Sequence, residues 1–474
     1  MKFIKIITVT LLCICNLAMC QKAKKLDSLF VELYKQKRFN GNILIAEKGK
    51  IIYKNSLGLA NEQTKEKLNE NSIFELASVS KQFTAMAIVI LKEKGKINYD
   101  DKITNFLPEL SNYKNISIRN LLNHTSGLPD YMYLLDSLLI EKKNWKQKEK
   151  IATNKNIIEI LAKHNPKVYF DPNEKWEYSN TGYALLASII EKASGKSYSD
   201  FLKKEIFIPL NMTNTFVYNR RFAPKNVKNY AFGYVYSDSL KRNILPDDFK
   251  KDDINKMVYS LDGIVGDGTV NSTIIDLLKW DRALYENKLI SEKSKIEIIT
   301  PGVLNDKSIT KYGFGWFVQK NEIYGNLIIH NGGWPGYKTY IERQIENDKT
   351  IILLQNNDNE NIYFPTQKIR EILYNIKPVV FIKLEKNEIE KFTGNFINEK
   401  NKIRKFTFEN GKLLIEFDSQ DIKMELKPIG KTKFKLIGSE PPIFYDFIIE
   451  NGEVIKYIIT QPELNIKNEA LKVK

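Results

Sequence analysis

Thiols are scarce in this chain, and their position limits the chemistry that it can perform. All the cysteines lie near the N-terminus, at Cys13, Cys15 and Cys20. If the segment that carries them is removed, the remaining chain has neither a disulfide nor a thiol nucleophile. We therefore expect catalysis, if there is any, to use a residue other than cysteine.

Histidine is equally scarce, and its three copies are scattered along the chain at His124, His164 and His330. Scattered single histidines without thiolates give no recognisable metal-ligand spacing, so we expect no metal ion and no cofactor. We expect His124 to hold its own loop by hydrogen bonds and His164 to lie on the surface.

Acidic residues are outnumbered, but not in a way that indicates nucleic acid binding. The 73 lysine and arginine residues against 57 aspartate and glutamate residues give a net charge of +16. The lysines are spread over the whole chain, and no basic block carries interleaved aromatic residues. We expect no nucleic acid partner, and attraction to an anionic cell wall or membrane surface is the remaining interpretation of the charge.

Long apolar runs are absent except at the N-terminus. Lys2 and Lys5 precede a largely apolar stretch from Ile6 to Cys20, and no acidic residue occurs before Asp27. A basic start followed by a short apolar run is typical of an export signal, which we assign to residues 1–20. We expect an exported protein, either periplasmic or secreted.

The end of this stretch has a second interpretation. Leu17-Ala-Met-Cys20 is similar to a bacterial lipoprotein box, although Met19 stands where a small residue is usual. In that case Cys20 becomes a lipidated N-terminus, and the protein is anchored to the cell envelope. Release and anchoring therefore both stay open.

The remaining 454 residues suffice for two or three domains with full-sized cores. Short β-rich runs occur at both ends of residues 21–375, and the middle is largely helical. This pattern predicts an α+β sandwich in which helices flank an antiparallel sheet built from both ends, with an all-helical region inserted. Among the later strands we include Tyr312-to-Val318, and we start one helix at Ser272.

The pattern changes after about residue 386. Short alternating runs from residue 387 to 474 predict antiparallel strands, and Asn410-Gly411 and Asn451-Gly452 are strong hairpin turns. We predict a small all-β domain, a barrel, after a linker at residues 376–386. This domain holds no histidine and no candidate catalytic group, so we expect it to be an accessory domain.

Ser78 and Lys81 are the first candidate catalytic pair. Their spacing of three residues, at the start of the apolar run Phe83-to-Leu91, places the hydroxyl and the amine on one face of a helix. Backbone N–H groups at a helix N-terminus also suit a developing oxyanion. The spacing by itself is common in a lysine-rich chain, so it requires support from other segments.

That support comes from two later stretches. Tyr178-Ser-Asn180 offers a phenol and a carboxamide from one turn before a helix, and His330-Asn-Gly-Gly333 ends a predicted strand. A nucleophilic serine needs a base, a proton relay and an oxyanion hole, and these segments can supply them.

In this order, these motifs resemble those of the serine β-lactamase and penicillin-binding-protein superfamily, which also uses Ser-x-x-Lys. The Tyr-x-Asn and His-x-Gly variants look more like its class C branch, with its related esterases, D-aminopeptidases and D-alanyl-D-alanine carboxypeptidases. Leu121-to-Tyr131 and Gly266-to-Thr273 resemble this branch too. The likeness covers roughly residues 25–375.

The resemblance implies a role for each matching residue. Ser78 would be the acylated nucleophile, and Lys81 and Tyr178 would move its proton, with the identity of the base left open. Asn180 would orient Lys81 and hold a substrate amide. The oxyanion hole would use the backbone N–H groups of Ser78 and Gly333, and Gly332 and Gly333 would both belong to the substrate-binding backbone, where two glycines allow close approach.

His330, which would line the cleft opposite the nucleophile, departs from the Lys-Thr-Gly form of the motif. Imidazole is mostly neutral above pH ~6.5, so it binds a carboxylate less well than lysine does and argues against an efficient β-lactamase. We expect a serine hydrolase that acts on esters, D-amino-acid peptides or cell-wall peptides. The alternative is a non-enzymatic or penicillin-binding module of the cell envelope. The sequence leaves open the oligomeric state and the substrate, which loops 131–145 and 218–257 would determine.

Overall fold

A computed structural model describes residues 2–134, 151–249, 253–359, 361–362, 364–377, 379–417, 420–439, 442–462 and 466–473. Most of the predicted cleft loop 131–145 lies outside these residues. The contacts divide the chain into two compact units, one of residues 1–318 and 327–364 and one of residues 319–326 and 365–474. The domain boundary at 376–386 stays a prediction.

The α-helices are α1 Lys2–Lys35, α2 Lys81–Glu93, α3 Ile118–Leu122, α4 Asn154–His164, α5 Asn180–Ser194, α6 Tyr198–Leu202, α7 Asp253–Ser260, α8 Ile274–Ala283, α9 Glu292–Ile298, α10 Thr366–Leu373 and α11 Lys386–Ile389. Helix α1 includes the predicted export signal. Within the described part of the chain, no helix has both the length and the apolar character needed to cross a membrane.

The strands up to residue 358 are β1 Gly41–Glu47, β2 Lys50–Leu57, β3 Leu59–Asn61, β4 Glu66–Lys67, β5 Phe74–Glu75, β6 Phe216–Val217, β7 Tyr234–Ser237, β8 Arg242–Ile244, β9 Val270–Ser272, β10 Phe317–Asn321, β11 Gly325–Trp334, β12 Tyr337–Gln344, β13 Lys349–Gln355 and β14 Asn357–Asp358. The chain continues with β15 Gly394–Asn398, β16 Ile403–Glu409, β17 Lys412–Phe417, β18 Gln420–Pro428, β19 Lys433–Leu436, β20 Phe444–Glu450, β21 Glu453–Gln461 and β22 Ile466–Lys472.

The main sheet joins the two ends of the first unit, which confirms the predicted architecture. Its strand order is β10-β11-β12-β13-β1-β2. Strand β1 pairs antiparallel with β13, from Gly41 opposite Gln355 to Glu47 opposite Lys349. On its other edge β1 pairs with β2 through the turn at Lys48 and Gly49, both of which have positive φ. Two successive positive φ angles are typical of the predicted tight hairpin.

Helix α2 lies in the middle of the hydrophobic core of the first unit. All its residues from Lys81 to Leu91 are buried, and Phe83 packs against Trp280 with ring centroids 4.6 Å apart. A helix that is apolar on all sides is stable only when other elements surround it. Its N-terminus, which follows Ser78, is therefore fixed by the packing of the whole unit.

The second unit contains a closed barrel of strands β15 to β22. Its interior is filled with aromatic rings; Phe406 and Phe447, for example, lie 5.4 Å apart and are about 1% exposed. Two of its strands, β18 and β22, are missing from the sequence prediction. The sequence of β18 does have the alternation of a strand, with Ile422, Met424 and Leu426 at every second position, whereas β22 has no regular alternation. The turns at Asn410-Gly411 and Asn451-Gly452 have the positive φ values expected.

Two predicted boundaries in the first unit are wrong. The strand expected from Tyr312 begins only at Phe317, because Gly313 and Gly315 bring the preceding segment against other backbone. A Cβ on Gly315 would lie 2.9 Å from the carbonyl oxygen of Lys81. The helix expected from Ser272 begins at Ile274, since Ser272 pairs within a small sheet and Thr273 caps the helix.

Candidate active site

Ser78 lies on a single 3-10 turn, Ala77–Ser80, between β5 and α2. Strand β9 holds this turn from both sides of the nucleophile. The Leu76 N–H donates to the Val270 carbonyl oxygen at 2.9 Å, and the Val270 N–H donates to Ser80 Oγ at 3.0 Å. Ala77 has φ +48°, which alanine rarely adopts, so the backbone beside Ser78 is strained.

Lys81 is fully buried directly behind Ser78. Its Nζ atom lies 3.0 Å from Ser78 Oγ, 2.9 Å from Asn180 Oδ1 and 2.9 Å from the Asp267 carbonyl oxygen. An ammonium group has three N–H donors, and these acceptors account for all of them. The structure thus brings Ser78, Lys81 and Asn180 together, although Lys81 and Asn180 lie about 100 residues apart in the sequence.

Asn180 is positioned by its own backbone as well as by Lys81. It begins helix α5, and its N–H donates to Asp130 Oδ2 at 2.7 Å. Its Oδ1 atom accepts from Lys81, so its amide nitrogen faces the other way and is 3.7 Å from the sulfur of Met132. The carboxamide therefore has a fixed orientation at the edge of the cavity.

His124 holds the residues on both sides of Tyr178. Its carbonyl oxygen accepts from the Glu177 N–H at 3.0 Å, and its Nδ1 accepts from the Ser179 N–H at 3.1 Å. Burial, with the nearby charge of Lys81, lowers the pKa of His124 well below its usual value. A neutral ring with Nδ1 as acceptor carries its proton on Nε2, so this histidine acts as the predicted loop-holding group.

Tyr178 lies over the Lys81 amine. Lys81 Nζ is 4.9 Å from the centre of the phenol ring, and Phe317 stacks on the ring at 6.5 Å with an interplanar angle of 4°. Among the described residues, none hydrogen-bonds the Tyr178 hydroxyl. The phenol thus has a packed ring and a hydroxyl group that is available to a ligand.

His330 is buried behind the Tyr178 ring and is not among the described residues that line the cavity. Its Nδ1–H donates to the Asn331 carbonyl oxygen at 2.7 Å, and its Nε2 accepts from the Tyr312 hydroxyl at 2.9 Å. Burial lowers the pKa of the imidazole to about 3, and the charge of Lys81 acts in the same direction. The ring is therefore neutral at physiological pH and fully hydrogen-bonded.

The two glycines at the end of this segment have different surroundings. A Cβ on Gly332 would lie 2.3 Å from the Leu76 carbonyl oxygen and 2.3 Å from Thr339 Oγ1. A Cβ on Gly333 would meet nothing within 4 Å. Gly332 therefore lets strand β11 pack against the nucleophile turn, whereas Gly333 faces open space beside Ser78.

These residues surround a cavity of about 280 Å³. Ser78, Tyr178, Asn180 and Gly333 line it, and so do three acidic residues, Glu75, Asp262 and Asp267. No lysine or arginine lines the cavity in the part of the chain that the structure describes. Among the described lining residues, those with a carboxyl or basic group are therefore all acidic.

The sequence interpretation did not identify the acidic residues. Asp267 accepts from the Tyr131 hydroxyl at 2.7 Å through its carboxylate and from Lys81 through its carbonyl oxygen. Burial raises the pKa of its carboxyl. Asp267 lies in the quoted stretch Gly266-to-Thr273, but its contacts come from tertiary packing and leave no local spacing signal.

Comparison with known proteins agrees with this geometry. Residues 26–374 match the family model described as Beta-lactamase. The chain is 42% identical to penicillin-binding protein 4* of Bacillus subtilis (strain 168), over 88% of this chain and 92% of that protein. That degree of identity over nearly the full length indicates a shared family and a shared fold.

Two solved structures resemble the chain. The octameric penicillin-binding protein homologue from Pyrococcus abyssi has a TM-score of 0.62 at 22% identity and covers 95% of this chain and 99% of its own. D-amino acid amidase from Ochrobactrum anthropi SV3, complexed with D-phenylalanine, has a TM-score of 0.57 at 25% identity, over 76% of this chain and 99% of its own.

The family match covers most of the first unit, and the relatives share the fold of serine hydrolases and penicillin-binding proteins. The resemblance that the motifs carry is therefore confirmed. This chain belongs to the Beta-lactamase family, within the superfamily of serine β-lactamases and penicillin-binding proteins.

Proposed function

We propose that this protein is a serine hydrolase that works through an acyl-enzyme on Ser78. The observation that carries the proposal is the 3.0 Å contact between Lys81 Nζ and Ser78 Oγ. A serine hydroxyl becomes a nucleophile when a base at hydrogen-bond distance can take its proton. The other two Lys81 contacts, to Asn180 Oδ1 and the Asp267 carbonyl oxygen, keep the amine at that distance.

Acylation requires an unprotonated base in the pair formed by Lys81 and Tyr178. Ser78 Oγ attacks the substrate carbonyl carbon while its proton passes to this pair, and the C–O or C–N bond to the leaving group then breaks. The leaving group takes a proton as it departs. Lys81 is the better placed of the two to receive the Ser78 proton, because it contacts Oγ directly, whereas the Tyr178 hydroxyl faces the cavity and suits the leaving group.

The backbone N–H groups of Ser78 and Gly333 are the proposed oxyanion donors. Two such donors stabilise the negative charge that develops on the carbonyl oxygen. The open space beside Gly333 supports this role, since a substrate can approach that part of strand β11 closely. Water then attacks the acyl carbon, and the Ser78 oxygen regains its proton.

The proposed substrates are esters, D-amino-acid peptides or cell-wall peptides. The solved structure of the D-amino acid amidase, which resembles this chain, supports an amide of a D-amino acid as one member of this range. We further propose that the protein acts outside the cytoplasm, after the N-terminal signal directs its export. The mass of the mature protein distinguishes release from lipidation at Cys20, because an acyl anchor adds the mass of its fatty acids.

A fluorophosphonate probe tests the nucleophile. We expect the probe to label the purified protein and Ser78→Ala to abolish both the label and ester turnover, which should fall by roughly 10³-fold or more. Ser111→Ala, a change at an exposed serine, should behave like the unsubstituted protein. Labelling that persists in Ser78→Ala would show that another residue is the nucleophile.

A test with a β-lactam substrate distinguishes the proposed hydrolase from a β-lactamase. Penicillins carry a carboxylate, and the described cavity wall offers acidic groups but no basic one. We therefore expect nitrocefin to be hydrolysed far more slowly than a p-nitrophenyl ester. An absence of both labelling and turnover, together with retained binding of cell-wall peptides, would instead favour the non-enzymatic alternative.

A further inference from the structure

Glu75 is a cavity residue that the proposed mechanism does not use. It is the last residue of β5, three positions before Ser78, and both residues line the same cavity. Three residues span at most about 11 Å, so the carboxylate and the nucleophile can both reach one small substrate. Glu75 is half-buried, and within the described ranges no residue hydrogen-bonds or ion-pairs with its side chain.

The charged groups around Glu75 are already paired with one another. Arg221 donates to Asp247 Oδ1 at 2.8 Å and to Asp262 Oδ1 at 3.2 Å, and Arg220 pairs with Asp247. Asp262 also accepts the Arg221 backbone N–H at 2.6 Å. Three carboxylates against two guanidinium groups leave one negative charge, and Glu75 is the group without an ion pair.

The environment of Glu75 disfavours its charged form in the absence of a ligand. Burial raises the pKa of its carboxyl to about 7, and the negative charge of Asp262 acts in the same direction. The other groups that face it are the two arginines, Asp247, and the phenols of Tyr230 and Tyr337. A cation bound beside Glu75 would stabilise the charged form of its carboxyl.

We propose that Glu75 binds a primary ammonium group on the substrate, within a few bonds of the scissile carbonyl. The proposal rests on the Ser78 hydrolase function and deepens it, because it names the substrate class as amine-bearing esters or amides. The composition of the cavity wall agrees with it, since the described lining holds no basic side chain that would compete with a substrate ammonium group for Glu75. The amine belongs either to the acyl group or to the leaving group.

Matched substrates test the proposal. D-alanine p-nitroanilide and L-alanine p-nitroanilide carry an amine on the acyl side, and propionyl p-nitroanilide lacks it. N-(2-aminoethyl)propionamide and N-propylpropionamide make the same comparison on the leaving-group side. The measured quantity is the ratio of kcat/KM for the amine-bearing compound to that for its partner without the amine.

We expect one of these ratios to fall by roughly tenfold or more in Glu75→Gln, because a charge-assisted hydrogen bond is lost. Glu66→Gln removes the same charge from an exposed position and should leave the ratio unchanged. In the unsubstituted protein the ratio should rise between pH 6 and 7.5 as Glu75 ionises, and in Glu75→Gln this rise should be absent. Equal losses for both members of every pair would show that Glu75 is only structural.

A binding measurement keeps the two proposals distinguishable. Calorimetry of D-alaninamide and ethylenediamine with Ser78→Ala requires no turnover, and adding Glu75→Gln to that protein should raise the Kd by tenfold or more. If the protein never acylates but this difference appears, the hydrolase function fails and the ammonium site stands. If acylation occurs but neither the ratios nor the Kd values change, the ammonium site is overturned alone.

Discussion

His330 shows how a residue of a catalytic motif can serve the packing of the site. Both of its ring nitrogens are hydrogen-bonded, to the Asn331 carbonyl and the Tyr312 hydroxyl, and the ring lies behind Tyr178. The imidazole has no nitrogen left for a substrate carboxylate. Its effect on specificity is therefore indirect, because it leaves this part of the site without a positive charge.

Replacing this histidine should destabilise the first unit. His330→Ala removes the acceptor of the buried Tyr312 hydroxyl and leaves a void, so we expect the free energy of unfolding to fall by about 2 kcal/mol. His164→Ala changes an exposed histidine and should have almost no effect. Urea unfolding followed by tryptophan fluorescence measures both, and equal stabilities of the two variants would contradict the structural role.

Single residues of the site differ in how far the sequence predicts them. The contact between Ser78 and Lys81 agrees with their spacing of three residues, which by itself was not sufficient to predict a catalytic pair. The contact between Lys81 and Asn180 could be expected only from the resemblance of the motifs. Glu75 and Asp262 could not be recognised as neighbours, since they lie 187 positions apart and no local pattern connects them. Their proximity depends on the pairing of Glu75 with Asn271 in a two-residue strand.

At the scale of elements, the contact between strand β11 and the nucleophile turn defines the mouth of the cavity. Gly332 pairs with Thr339, whose hydroxyl donates to the Leu76 carbonyl oxygen at 2.6 Å. The strand and the turn thus meet through backbone and one hydroxyl group. Any side chain at position 332 would separate them.

A matched pair of glycine substitutions tests this contact. Gly332→Ala should lower the free energy of unfolding by about 1–3 kcal/mol, because its Cβ overlaps the Leu76 carbonyl oxygen. Gly333→Ala should leave the stability nearly unchanged, since its Cβ meets open space, but should lower kcat/KM by narrowing the approach to Ser78. Thermal unfolding and ester turnover measure the two effects, and an exchange of the two phenotypes would refute the assignment.

Elements marked by turn chemistry were predictable, and those bounded by tertiary contacts were not. At the hairpins Lys48-Gly49 and Asn410-Gly411, Gly49, Asn410 and Gly411 have the positive φ angles that glycine and asparagine favour. The segment Tyr312-to-Trp316 has the composition of a strand but turns against helix α2 at Gly315. Whether this segment forms a strand or a turn depends on its packing against α2, and the local sequence carries no information about that packing.

At the scale of the molecule, each unit has its own hydrophobic core. The core of the first unit is centred on α2 and α5, and that of the barrel on Phe406, Phe447 and Tyr457. The sequence predicted the barrel from the change in strand pattern, because local alternation and hairpin turns signal antiparallel strands that follow one another. All five tryptophans precede residue 335, so their fluorescence reports the first unit alone.

Separate cores predict separate unfolding transitions. Phe447→Ala should destabilise the barrel by about 3–5 kcal/mol and shift the part of the far-UV circular dichroism transition that comes from it. Leu277→Ala should instead shift the tryptophan transition, because Leu277 is buried in the core of the first unit. If both variants move both signals equally in urea, the two units unfold as one.

The pairing of β1 with β13 also determines when, during synthesis of the chain, the proposed site can form. Glu47 and its partner Lys349 are separated by 302 positions, which a ribosome takes about 15–60 s to translate at about 5–20 residues per second. Until then β1 has no neighbour on that edge, and Ser78 lacks the strand that carries Gly332 and Gly333. The proposed site therefore cannot form before strands β11 to β13 have been synthesised, and until then the chain should be catalytically silent.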